Sequence, residues 1–178
     1  MVSDDELLVG DLYQALAAAE TGPITEKKPL DSPARFVRCF AAEEDCGPSS
    51  AYGPVQITMT LVRDYLNRHP EIFSDEIRHY AEAFVEQGHN FLDDGHGIYG
   101  YGGAGTLNDP ESRRLYVLMA RALIAHLWNV VGGQTEEERF DNLLLRWRGK
   151  RDTRYFARAK SVFARLRVSP GVRQKEYV

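Results

Sequence analysis

Ala17-Ala18-Ala19-Glu20-Thr21-Gly22-Pro23 closes an apolar helix on a carboxylate, and Ser49-Ser50-Ala51-Tyr52-Gly53-Pro54-Val55-Gln56-Ile57-Thr58 opens the next one. Upstream, Ser3-Asp4-Asp5-Glu6 fits a capping box, in which the Ser hydroxyl and the Glu carboxylate cover each other's orphan backbone amides. Leu8, Leu12 and Leu16 then recur every four residues, which predicts a first helix to about Glu20, stopped by Gly22-Pro23. Pro54 suits the first turn of a second helix whose Val55, Met59, Val62 and Leu66 share one stripe.

Further out the helical pattern continues. Ser74 caps a third helix with Ile77, Tyr80, Ala81, Phe84 and Val85 on its apolar face, weakened at Gly88. Asp109-Pro110 starts the longest and most apolar helix, running through Leu115, Leu118, Met119, Leu123 and Leu127 to Val130; its apolar residues occupy more than one face, which predicts the central helix. Thr135 caps another helix and Asp152 a last one, with Tyr155, Phe156, Val162 and Phe163 inward. Between the first two helices, residues 23–53 hold several prolines and room for a short strand at Arg35-Phe36-Val37-Arg38-Cys39-Phe40. The expectation is a mainly α fold: one domain over residues 1–178, with 23–53 as an irregular or two-stranded lobe and 168–178 as a tail.

Composition narrows the function classes. The 178 residues are 43% apolar and 27% charged with a net charge of −4, which describes a globular domain without a basic field for nucleic acid. Ten cations lie between Arg139 and Arg167 against Asp141 and Asp152. They form either a solvated helix face or a surface for an anionic polymer such as a cell wall. No apolar run looks long enough to span a membrane. The chain starts Met-Val-Ser-Asp-Asp-Glu, with acids where a secretory leader carries Lys or Arg, so cytosolic synthesis without a signal peptide is expected. Cys39 and Cys46 either close a small loop or remain thiols.

The candidate chemistry centres on Glu20. It continues the Leu8-Leu12-Leu16 series, so its side chain points with the core stripe. Burial raises a carboxyl pKa, and the negative end of the helix dipole raises it further. Such a group stays protonated near neutrality and suits general acid catalysis at a glycosidic oxygen; the bland alternative is a terminal Glu that bends out to water. Gly53 permits close backbone approach to a ligand, Gln56 offers an amide that both donates and accepts, and Ser50 and Thr58 add hydroxyls. Tyr52, Tyr99 and Tyr101, in loops, offer faces for sugar stacking or act as local packing.

In this order the residues resemble the lysozyme-like superfamily, in particular phage lysozymes and the lytic transglycosylase and goose-type lysozyme group. The Glu20-Thr21-Gly22 context is similar to that family's acid, Gly53-Pro54-Val55-Gln56 to its Gly-Leu-Met-Gln motif, and Tyr101-Gly102-Gly103-Ala104-Gly105 to its Tyr-Asn-Ala-Gly motif. Pro54 and Val55 depart from the second motif, Gly102 replaces the asparagine of the third, and the Glu20-to-Gln56 gap is longer than in simple transglycosylases. The resemblance implies cleavage of the β-1,4 bond between N-acetylmuramic acid and N-acetylglucosamine. Glu20 would be the acid, and Gln56 and Tyr101 would line the cleft. A hydrolase of this kind needs a second carboxylate, for which Asp45, Asp93 and Asp94 are the candidates; a transglycosylase needs none. It further implies a monomer acting on peptidoglycan strands without a cofactor, as a phage lysin or virion-associated enzyme, or else a non-catalytic glycan-binding protein of a virion. His89, Asp93, Asp94 and His96 carry ligand-type side chains, but their spacing fits no metal motif and no metal is expected.

Overall fold

The computed structural model describes residues 2–38, 50–94 and 109–168, with the backbone alone for 89–94. Six α-helices lie among them: α1 (Asp4–Thr21), α2 (Met59–Arg68), α3 (Asp75–Asp94), α4 (Pro110–Val131), α5 (Glu136–Arg148) and α6 (Thr153–Val168). Their starts follow local chemistry. The Ser3 hydroxyl accepts from the Glu6 amide at 3.2 Å, the Asp109 carboxylate from Ser112 at 3.0 Å, Thr135 from Glu138 at 3.0 Å and Asp152 from Tyr155 at 3.1 Å.

The most enclosed helix is α1, in which every residue from Gly10 to Ala19 is buried. Its small Ala15, Ala17, Ala18 and Ala19 allow neighbours on several sides at close range. It packs along α6 and against α4, while α3 joins α2 to α4 and α5 joins α4 to α6. The position expected for the longest helix is therefore shared. Helix α4 is long and apolar enough, by length and composition alone, to cross a bilayer, which corrects the sequence expectation on span length. In this fold its Tyr116, Met119, Leu123, Ile124 and Leu127 belong to the protein core.

Two expectations fail in the lobe. Pro54 does not start a helix: α2 begins at Met59, with the Thr58 hydroxyl accepting from Leu61 at 3.2 Å. The expected strand is absent among the described residues. Pro33–Arg35 forms a 3-10 turn instead, and isolated bridges join Arg38 to Tyr52 and Tyr52 to Ile57. Arg35 organises the loop that precedes this turn. Its guanidinium is fully buried and donates to the carbonyls of Gly22, Pro23, Lys28 and Pro29 at 2.8–2.9 Å. Four carbonyls of the loop from Gly22 to Pro29 are thereby satisfied by one cation. Cys39, Cys46 and the tail from residue 169 lie outside the described residues.

Candidate functional site

Glu20 occupies the last turn of α1, which stops at Gly22 in a positive-φ conformation (98°) that suits glycine. Its Oε1 accepts a hydrogen bond from the Tyr155 hydroxyl at 2.9 Å. Tyr155 sits in the first turn of α6, where Asp152 caps the helix and fixes its start. Arg158, one turn on, donates to the Ala19 carbonyl at 3.0 Å, and Arg148 at the end of α5 lies over the Tyr155 ring at 5.2 Å. Burial pushes the Glu20 carboxyl up to about 7, against the opposing pull of the Tyr155 hydroxyl and the charges of Arg148 and Arg158. Burial, then the Glu20 charge, drives the Tyr155 hydroxyl far above its ordinary value, so Tyr155 stays a phenol and a donor. The arrangement is a carboxyl that keeps its proton to a large extent at neutral pH, about half the molecules at pH 7, oriented by a fixed hydrogen bond.

The end of α1 is tied to the second segment. The Thr21 hydroxyl lies 2.9 Å from the Pro54 carbonyl and 3.1 Å from that of Ala17, and accepts from Arg35 at 3.0 Å. Pro54 belongs to a tight turn from Gly53 to Gln56, closed by the Gln56 amide on the Gly53 carbonyl at 3.0 Å. Gly53 has φ 86°, and a Cβ there would stand 2.2 Å from Cζ of Tyr116. Gln56 also has a positive φ, 52°, which is uncommon for a side chain of its kind and marks a position held by its surroundings. Its side-chain nitrogen donates to the Gly53 and Val37 carbonyls at 2.9 and 3.2 Å. Gln56 is thus a turn residue ahead of α2, not a helix residue, and its amide N–H groups serve the backbone.

Two expected sugar contacts are corrected. The Tyr52 ring is fully buried and packs edge-on against Tyr116 and Phe84 at 5.9 and 6.1 Å, so it offers no face to a sugar. Ser50 is buried, and its hydroxyl accepts from the Met59 amide at 2.9 Å. Thr58 caps α2, and its half-buried side chain also lines a groove. Asp93 and Asp94 lie on the last turn of α3, with no described side chains. Asp45, His96, Tyr99 and Tyr101 lie outside the described residues. The cations of the C-terminal third are largely engaged: Arg151 and Lys160 with Asp141, Arg148 with Asp152, and Arg167 with buried Asp11 at 2.8 Å.

A separate groove of about 450 Å³ opens between α2, α4 and α5. Gln56 and Thr58 stand at one end of it, and Glu20 is not among its lining residues. Trp147 lines the groove, with its indole N–H on the Val55 carbonyl at 3.1 Å. Inside the groove the Tyr65 hydroxyl meets His126 Nδ1 at 2.9 Å, and the His126 and His69 rings lie 4.4 Å apart. Among the described residues no three His, Cys, Asp or Glu side chains gather to hold a metal ion.

Sequence reasoning assigned Tyr155 to the core and did not single out Arg148, Arg158, Tyr65, His69 or His126 for function. The spacing of Tyr65 and His69 on one helix face was a signal; the pairing of Tyr155 with Glu20 had none, because it joins opposite ends of the chain. No protein-family model matches the chain, and neither a known protein nor a solved structure was found that resembles it.

Proposed function

We propose that this chain is a peptidoglycan glycosidase of lysozyme-like architecture that cleaves the β-1,4 bond between N-acetylmuramic acid and N-acetylglucosamine. The observation carrying the reading is the Glu20 carboxyl, raised to about 7 by burial and held by the Tyr155 hydroxyl at 2.9 Å. A carboxyl that is still about half protonated at pH 7 can pass its proton to the glycosidic oxygen as the bond to the sugar's anomeric carbon breaks. The leaving sugar departs with that proton, and positive charge develops on the ring left behind. Water then completes a hydrolysis, or the muramic acid's own 6-hydroxyl closes an anhydro ring. In the second case the Glu20 carboxylate takes the hydroxyl proton back and is regenerated without a second acid. Bacterial cell wall is the proposed place of action, with the protein delivered as a phage lysin or within a virion.

Clearing of chloroform-permeabilised Gram-negative cells by wild type and Glu20→Gln tests the assignment. Loss of a positioned general acid slows such a step by about 10²–10⁴-fold, so the variant should leave turbidity nearly unchanged over the time wild type clears. Equal clearing by both proteins rejects Glu20 as the acid. If neither clears cells yet both sediment with purified sacculi, the non-catalytic glycan-binding reading replaces this one. Mass spectrometry of released fragments separates the two routes, through anhydro or reducing ends.

A further inference from the structure

The groove between α2, α4 and α5 has a chemistry that Glu20 does not use. Its volume of about 450 Å³ falls in the range of small-molecule sites. One wall is apolar, formed by Leu127, Val130 and the Trp147 ring. Val130 is 53% exposed, an apolar side chain left uncovered at the groove's edge. The other wall carries the Arg146 guanidinium beside a self-paired Asp64 and Arg68. Asp64, the acid in the lining, is taken by Arg68 one turn away at 3.4 Å. Arg146 makes no ion pair among the described residues, yet it stands close enough to Tyr65 to act on its hydroxyl electrostatically.

The His126 imidazole adds a directed donor. When the Tyr65 hydroxyl donates to His126 Nδ1, the neutral ring carries its own proton on Nε2 and presents it as a donor. His69 Nδ1 faces Glu71 at 3.4 Å, with its ring beside that of His126. Carboxylates accept at two oxygens and pair with guanidinium in a fork geometry, so this set of donors matches a carboxylate beside an apolar body.

We propose that this groove is a binding site for a carboxylate-bearing ligand, its anion received by Arg146 and the imidazole of His126, and its apolar part laid on Trp147 and Val130. The same chemistry has two sources: a free small acid or peptide, or the stem peptide attached to a cell-wall strand. The second source rests on the glycosidase reading. It is favoured by position, because Gln56 lines the groove and belongs to the turn that the Thr21 hydroxyl ties to the end of α1.

The test is an NMR titration of full-length Glu20→Gln protein, which leaves probes uncut. The probes are a disaccharide-tetrapeptide from peptidoglycan, the free tetrapeptide and chitotetraose. The Trp147 indole N–H and the His69 and His126 ring signals report binding. The Trp128 indole, under Arg139 at 4.9 Å, serves as internal control. Both peptide probes should shift Trp147 and the two histidines saturably, while chitotetraose leaves them in place. Arg146→Gln, at an exposed position where folding is not at risk, should weaken peptide binding about tenfold or more. Failure of both peptides to shift Trp147, an equal shift with chitotetraose, or unchanged affinity in Arg146→Gln overturns the proposal. Tighter binding of the disaccharide-tetrapeptide identifies the strand as the source, and equal binding identifies a free acid or peptide. Cell clearing without peptide binding sinks this site alone; peptide binding without clearing sinks the glycosidase reading alone.

Discussion

Replacing Glu20 with Gln should stabilise the protein at alkaline pH and leave it unchanged at acid pH. The carboxyl has an ordinary value of 4.5 and is held at about 7 in the folded chain. Below 4.5 folded and unfolded chains both carry the proton, and the group adds no pH dependence. Between these values the folded chain keeps a proton that the unfolded chain releases, so stability falls as pH rises. Above about 7 the carboxylate is charged in both states, and the full penalty of burying it is present. A gap of about 2.5 pH units at about 1.36 kcal/mol each corresponds to roughly 3 kcal/mol. Gln cannot ionise, and its carbonyl can still accept the Tyr155 hydroxyl. Urea unfolding of both proteins at several pH values measures the difference. The curves should coincide near pH 4 and separate in favour of Glu20→Gln by about 2–3 kcal/mol near pH 8. Equal stabilities across that range, or a gap that widens toward acid, would refute the burial argument.

Cell clearing should decline as pH rises through about 7, because only the protonated Glu20 can act as the acid; a profile flat to strongly alkaline pH speaks against it. Tyr155→Phe removes a hydrogen bond that favours the charged form, so the Glu20 carboxyl should titrate higher still, at a stability cost of about 1 kcal/mol by urea unfolding. Gly53→Ala forces a Cβ to within 2.2 Å of the Tyr116 ring in a backbone conformation that disfavours side chains, and should lower stability by about 3 kcal/mol in the same measurement. Arg167→Met removes the charged hydrogen bond at 2.8 Å to fully buried Asp11, and should cost about 2 kcal/mol, read as a lowered midpoint.

The helix frame was legible because its signals are local. Ser3, Ser74, Asp109, Thr135 and Asp152 announce helix starts through side chains that reach an amide three residues on. The lobe was harder to read. Pro54 fits a helix start and a turn equally well, and the choice rests on Thr58 capping a later start. Tyr52 reads as a loop aromatic by its glycine-rich neighbours, yet Tyr116 from a distant helix donates to its carbonyl at 2.7 Å and buries its ring. The same limit applies to the site. The Leu8-Leu12-Leu16 series pointed Glu20 inward, but the phenol that holds it arrives from α6, with no period or spacing to betray it. The Tyr65–His126 pair likewise joins two helices far apart in sequence.

Direct titration of the Glu20 side chain by 13C NMR, with Glu20→Gln used to assign the signal, addresses the central claim. A midpoint near 7, moving upward in Tyr155→Phe, is the result expected of a buried carboxyl held by that phenol. A midpoint in the ordinary carboxylate range would mean that Glu20 is charged at neutral pH and has no proton to give.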